Sequence, residues 1–224
     1  MCQAGPAGNG DAGEAPAAGV RRFLYPAALR PGIVLWLGLM GLAGFAAFVP
    51  LYVDELGMDK ADSVFAVYAL LILGLRIVAG RLPDRLGAVR AASGALAVSA
   101  AGLLVMAAFA SRSGLFAGTV VFALGMTFLY PALFPLVLAR VPDNERSHAI
   151  GTFSVFFDLS QGFGAPTLGL VVALAGERAA FAVAAAMSIV ALFVLRGSSF
   201  AAGPATPRTP REHPGPCEEP PPPG

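Results

Sequence analysis

Six runs of apolar residues, most of them close to twenty long, alternate along this chain with short polar breaks. They cover approximately residues 33–52, 64–82, 91–110, 114–139, 149–174 and 179–196. A helix rising 1.5 Å per residue needs about 20 apolar residues to cross a hydrocarbon core of roughly 30 Å. All six runs meet that length or come close to it. The first, third and fourth hold no charged residue. The breaks read "VDELGMDKADS", "GRLPDRLGAVR", "SRS", "RVPDNERSH" and "GER", with Gly57, Pro83, Gly87, Pro142 and Asp143 as turn signals at the ends of apolar runs. A soluble helical protein would need a polar coat, and nothing in the pattern supplies one. The pattern predicts an all-α membrane protein with six transmembrane helices, its lateral solvent the lipid bilayer.

Composition sharpens this. Apolar residues make up 56% of the 224 and charged ones 13%, about half the charged share of an average soluble domain. A net charge of +1 gives no basis for a nucleic-acid partner. Cys2 and Cys217 lie in opposite tails, so no disulfide framework is expected. The two histidines, His148 and His213, cannot make a metal site, and no cofactor motif is present. The first twenty residues, acidic and small, lack the basic start and apolar core of a secretory signal. Residues 1–24 read as a linker or disordered segment and 197–224 as a disordered, proline-rich tail, leaving one membrane domain over 25–196.

Basic residues fall unevenly on the two sides of the predicted spans. One side holds Arg21, Arg22, Arg30, Arg81, Arg85, Arg90, Arg140, Arg146 and Arg196, the other only Lys60, Arg112 and Arg178. The positive-inside rule then puts both termini in the cytoplasm. The break after the second span is a cytoplasmic loop with the spacing Gly80-x-x-x-Asp84-Arg85-x-Gly87-x-x-Arg90. Gly80 permits close backbone approach and Gly87 a positive φ. Asp84 can cap orphan N–H groups at a helix N-terminus, and the arginines can pair with it or grip lipid headgroups.

That spacing resembles the loop signature G-x-x-x-D-R-x-G-R-R of the major facilitator superfamily of secondary transporters, with Ala88 and Val89 where a basic pair is commoner. "YPAALRPGIVLWLGLMGLAGFAAFVPLYVDELG" is similar to that family's interdomain linker, seventh helix and outer loop. "FALGMTFLYPALFPLVLARVPDNER" is similar to its tenth helix and the loop after it. The resemblance covers roughly residues 25–196 and is best to drug and sugar efflux members. It implies the C-terminal half of such a transporter, six helices forming two inverted three-helix repeats, in the plasma membrane. It also implies that Asp84 docks on a helix of the opposite half, which this chain does not contain.

Two formal charges, Arg76 and Asp158, sit well inside apolar runs. Such residues are functional-site candidates by default. At helical spacing Gly151, Ser154, Asp158, Gln161, Gly162, Ala165 and Gly169 share a small, polar face. This face is expected to look toward other helices or a cavity, while Phe153, Phe156, Phe157 and Phe163 suit lipid. Two readings of Asp158 stand. It lines the transport path and binds a proton or a cationic substrate, or it is structural, paired with Arg76 or capping backbone groups. Arg76 is expected to snorkel to the interface or dock on the motif loop. Gly162, Gly164, Pro166 and Gly169, a degenerate likeness of the family's glycine-proline antiporter motif, are expected to bend the fifth helix; Pro131 and Pro135 should kink the fourth. Tyr130 and Thr127 are available to line a cavity. Asp143 or Asn144 is expected to cap the fifth span, and His148 to be interfacial.

The expected function is proton-coupled efflux of a small organic solute by alternating access, with no enzymatic chemistry. The alternative is a six-helix scaffold or regulatory subunit without transport. Half the family's helix count implies a missing N-terminal half, in cis or in trans, or a homodimer. An immunoblot of source-cell membranes with an antibody to "PRTPREHPGPCEEP" measures this. We expect a band at roughly twice 22.8 kDa, whereas a band near 22.8 kDa means that the half exists alone.

Overall fold

The computed structural model of the chain describes residues 26–58, 60–79, 87–139, 141–142 and 145–197. They form six helices and, among the described residues, no strand: α1 (Pro26–Glu55), α2 (Asp62–Ala79), α3 (Ala88–Ala108), α4 (Arg112–Leu138), α5 (Arg146–Ala175) and α6 (Glu177–Gly197). All but α2 are long and apolar enough to cross a membrane. Of the expected six spans, α2 is the shortest at 18 residues, about 27 Å at the standard rise. The helices overrun the apolar runs that announce them, α1 and α5 each reaching 30 residues. Helical backbone satisfies its own hydrogen bonds into the interface, so polar flanking residues do not end it.

Small side chains decide which helices meet. α3 and α4 make the largest contact in the molecule, and at its centre their backbones nearly touch. A Cβ on Gly102 would lie 2.7 Å from Phe122 Cα, and one on Gly118 2.8 Å from the carbonyl oxygen of Gly102. At Gly125 it would strike the hydroxyl and backbone of Ser99. Lipid tails are as apolar as leucine, so burial gives no net drive here. Dispersion between closely approaching backbones holds such a pair. α6 presents a similar narrow face, Ala180, Ala184, Ser188 and Ala191, all buried, and packs on α3.

The five largest contacts are α3–α4, α1–α5, α3–α6, α1–α6 and α2–α4. Exchanging α1 with α4, α2 with α5 and α3 with α6 maps this set onto itself. The two helix triplets therefore interlock as pseudo-symmetric repeats, each second helix packing on the first helix of the other triplet. α5 departs from the symmetry by also packing on α6.

Side-chain bonds at one end show which termini lie together. Tyr52 Oη donates to the carbonyl of Met106 (3.1 Å), and Arg112 donates to that of Gly57 (2.6 Å). Arg178 donates from Nε to Ala107 (2.9 Å) and from Nη2 to Ala108 (3.2 Å). Two of the three basic residues on the sparsely charged side thus occupy orphan carbonyls at or just past helix C-termini, where the macrodipole favours a cation. Positive φ at Gly57 (63°) and Gly176 (81°) turns the chain at this same end.

Two expectations change. Phe153 is fully buried and Phe156 and Phe157 are partly buried, so of the four phenylalanines assigned to lipid only Phe163 is exposed. The N-cap of α5 is Glu145, whose side chain makes no cap bond; Asp143 and Asn144 lie outside the described residues. α4 and α5 are assigned helix through Pro131, Pro135 and Pro166, the residues expected to bend them. Gly125→Leu should cost about 1–3 kcal/mol or more by overpacking, read as early loss of the monodisperse peak when detergent-solubilised protein is heated. Gly94→Leu, on α3 with nothing within 4 Å of its Cβ position, should leave that temperature unchanged.

Candidate functional site

With α3 and α6 packed together, α1, α2, α4 and α5 leave a concave face between them. A cavity of about 490 Å³ opens there, lined by Leu39 and Leu42 of α1, Tyr68, Ile72 and Arg76 of α2, Met126 and Tyr130 of α4, and Ser154, Phe157 and Asp158 of α5. A smaller hollow of about 270 Å³, lined by Arg76, Thr127, Phe128, Tyr130 and Pro131, adjoins it through Arg76 and Tyr130.

Each wall follows from helical spacing. Tyr68, Ile72 and Arg76 are four apart and lie along one face of α2, as Met126 and Tyr130 do on α4 and Ser154 and Asp158 on α5. Aromatic packing fixes the two tyrosines. The Tyr130 ring lies 5.5 Å from Phe153, 6.0 Å from Phe134 and 6.2 Å from Phe157. Tyr68 lies 4.9 Å from Phe45 and 6.0 Å from Phe122. Ring pairs at these separations are favourable beyond their buried area. Thr127 turns its hydroxyl back to the carbonyl of Ala123 (2.7 Å). Its own carbonyl loses its helical donor, because Pro131 has no N–H.

The structure brings Arg76, Tyr130 and Asp158 to one cavity. Arg76 and Asp158 nevertheless form no ion pair, and among the described residues neither makes a hydrogen bond. The structural reading in which they pair is therefore not realised. Gln161 is exposed and outside the cavity lining. Gly164 is buried where a Cβ would strike Ala43 of α1, and Gly169 faces Phe48 at 3.5 Å; Gly162 and Pro166 are exposed. In the loop motif, Gly87 has φ of 82° just before α3 and Arg90 is exposed in its first turn. Gly80, Asp84 and Arg85 lie outside the described residues. Among the described residues no cluster of His, Cys, Asp or Glu could hold a metal ion.

Sequence reasoning passed over Tyr68, Ile72, Met126, Leu39 and Leu42 as cavity residues, whereas Ser154 stands on the polar face expected to look toward a cavity. Tyr68 was detectable from its spacing to Arg76. Ile72 and Met126 share that spacing with Arg76 and Tyr130, but Leu39 and Leu42 carry no such signal.

The major facilitator superfamily model matches residues 31–221. The chain belongs to the major facilitator superfamily. An uncharacterized MFS-type transporter of Salmonella typhimurium is 31% identical over 166 residues, covering 74% of this chain and 43% of its own length. The uncharacterized MFS-type transporter YhhS of Escherichia coli is 28% identical over 163 residues, 73% of this chain and 40% of that one. This chain thus spans about two fifths of the length of these relatives. Among solved structures, a mutant peptide transporter POT bound to sulfate superposes with a TM-score of 0.71 at 21% identity, over 77% of this chain and 37% of that one. The human organic anion transporter MFSD10 (TETRAN) gives 0.70 at 20% identity, over 82% and 43%. These likenesses establish the fold. The chain accordingly has the helical membrane fold of this superfamily of transporters, and the superfamily is not one of enzymes.

In a major facilitator chain the concave face identifies which side chains meet water. With Cys2 and Cys217 replaced by serine, Asp158→Cys and Ser154→Cys should react quickly with a membrane-impermeant thiol reagent. Ser160→Cys, at a position buried on the same helix, should react far more slowly. Equal rates at all three would show that the cavity is closed to solvent.

Proposed function

We propose that this chain forms the C-terminal half of a secondary active transporter, and that the cavity among α1, α2, α4 and α5 is its wall of the solute pathway. The observation that carries the reading is a carboxylate and a guanidinium, both without hydrogen-bond or ion-pair partners among the described residues, on a concave face that the bundle leaves open. Charge at such depth is costly and is retained where a pathway needs it. Flat packing on a partner would not require a cavity of this size, which falls within the range of small-molecule sites.

The transported species is a small organic solute, exchanged for protons in the efflux direction, with Asp158 as the group that exchanges proton for solute. The opposite wall comes from the N-terminal half, in the same polypeptide or a separate one, or from a second copy of this chain. The protein resides in the plasma membrane with both termini cytoplasmic, in keeping with the arginine-rich end that includes Arg30, Arg90, Arg146 and Arg196. Alternating access follows from rocking one six-helix unit against the other around this site.

Everted membrane vesicles containing the protein test the reading. After energisation, a transported solute should release protons, recorded as dequenching of an acridine dye. Asp158→Asn should abolish the release at unchanged membrane content, and Asp158→Glu should retain part of it. Proton release that persists in Asp158→Asn would remove Asp158 from the coupling step. A protein that responds to no solute in a broad organic panel would favour the scaffold instead.

A further inference from the structure

We infer that the cavity recognises an organic zwitterion, its cationic end at Asp158, its anionic end at Arg76 and its apolar body against the wall of Tyr68, Ile72, Met126 and Tyr130. The inference rests on the reading of this cavity as a solute site and adds the class of solute.

The argument starts from the two charges. Arg76 and Asp158 line one cavity, yet their charged atoms stay beyond ion-pair distance. A carboxylate and a guanidinium facing one cavity attract each other and can close into an ion pair. Here each is carried on a different helix, α2 packing on α4 and α5 on α1, and each helix is held by its own neighbours. The charges are thereby kept apart, each with unused hydrogen-bonding capacity facing the same space.

A guest with one charge would satisfy one side and leave the other without a counter-charge once the pathway closes around it, a costly arrangement. A guest with both charges satisfies both. The guanidinium offers a planar fork suited to a carboxylate, sulfonate or phosphonate, and Asp158 accepts from an ammonium. Between them the lining is apolar and aromatic, and the rings of Tyr68 and Tyr130 are locked by their phenylalanine neighbours. Among the described residues neither tyrosine hydroxyl forms a hydrogen bond, so both are free to meet polar atoms of the guest. A fixed wall with charges at separated points selects length as well as charge.

A molecular ruler tests this on the full chain purified in detergent. Apparent dissociation constants are taken from the thermal stabilisation that each ligand produces. The probes are ω-amino acids of increasing length, with n-alkylamines and alkanoates of matching lengths. The expected result is one optimal ω-amino acid, bound at least about tenfold more tightly than the amine or acid of the same length. Arg76→Gln should remove the advantage over the amine, and Asp158→Asn the advantage over the acid, while Arg76→Lys and Asp158→Glu keep part of each. An amine that binds as well as the matching ω-amino acid would overturn the inference, as would a wild type that binds no probe. So would an amine and an acid that together reproduce the zwitterion's effect, which would mean two separate single-charge guests. Solute-driven proton release in vesicles by simple cations, without zwitterion binding, would sink this inference and leave the transport reading intact.

Discussion

The near-contact of the α3 and α4 backbones is the constraint on which the other arrangements depend. In hydrocarbon, side-chain burial does not drive helices together, so position is set by where backbones can approach. Gly102, Gly118 and Gly125 remove the atoms that would hold α3 and α4 apart. With that pair closed, α6 seats its alanine and serine face on α3, and α2 rests on the other side of α4. α5 rests on α1 as α2 does on α4, with Gly164 of α5 against Ala43 of α1. Bulk excluded from these seams is displaced to the remaining face, and a cavity opens where α1, α2, α4 and α5 cannot all close on one another.

The polar groups follow from the same economy. Buried hydroxyls bond within their own helix: Thr119 to the carbonyl of Leu115 (2.8 Å), Thr127 to that of Ala123 (2.7 Å) and Ser188 to that of Ala184 (3.1 Å). Such back-bonding satisfies a hydroxyl without needing a neighbour. Ser99 is an exception, its oxygen buried against Gly125 with no partner, and it sits at the tightest point of the α3–α4 seam. Formal charges are placed at the helix ends, where Arg112 and Arg178 serve orphan carbonyls, or on the cavity. No internal ion-pair lattice stabilises the bundle among the described residues, so the charges at Arg76 and Asp158 are not explained by holding it together.

Much of this was legible in the sequence, and the unread part has a physical reason. The six apolar runs located the helices because hydropathy reports the solvent around a segment. Arg76 and Asp158 stood out because a charge in an apolar run has few places to go. Phe153 was misplaced because a phenylalanine suits lipid and helix interior equally, and only the neighbouring Tyr130 and Phe134 rings decide between them. Leu39, Leu42 and Met126 line the cavity through the packing of their helices alone. The pairing of α2 with α4 and of α5 with α1 was likewise beyond reach, since small-residue seams occur on several faces. Resemblance to the superfamily supplied the repeat architecture that periodicity could not.

Arg76 and Asp158 hold related places in that architecture. They are carried by the two helices that the pseudo-symmetry exchanges, Arg76 fourteen residues beyond Asp62 at the start of α2 and Asp158 twelve beyond Arg146 at the start of α5. Because α2 is seated on α4 and α5 on α1, the gap between the charges is governed by the contact between α1 and α4, which is small compared with the α3–α4 and α1–α5 seams. An empty site leaves opposite charges pulling across that weak contact. A solute bridging them would replace the pull with a spacer of fixed length. Binding would then act on one of the smaller contacts in the bundle, which is where a transporter that must change shape around its solute gains from placing its charges.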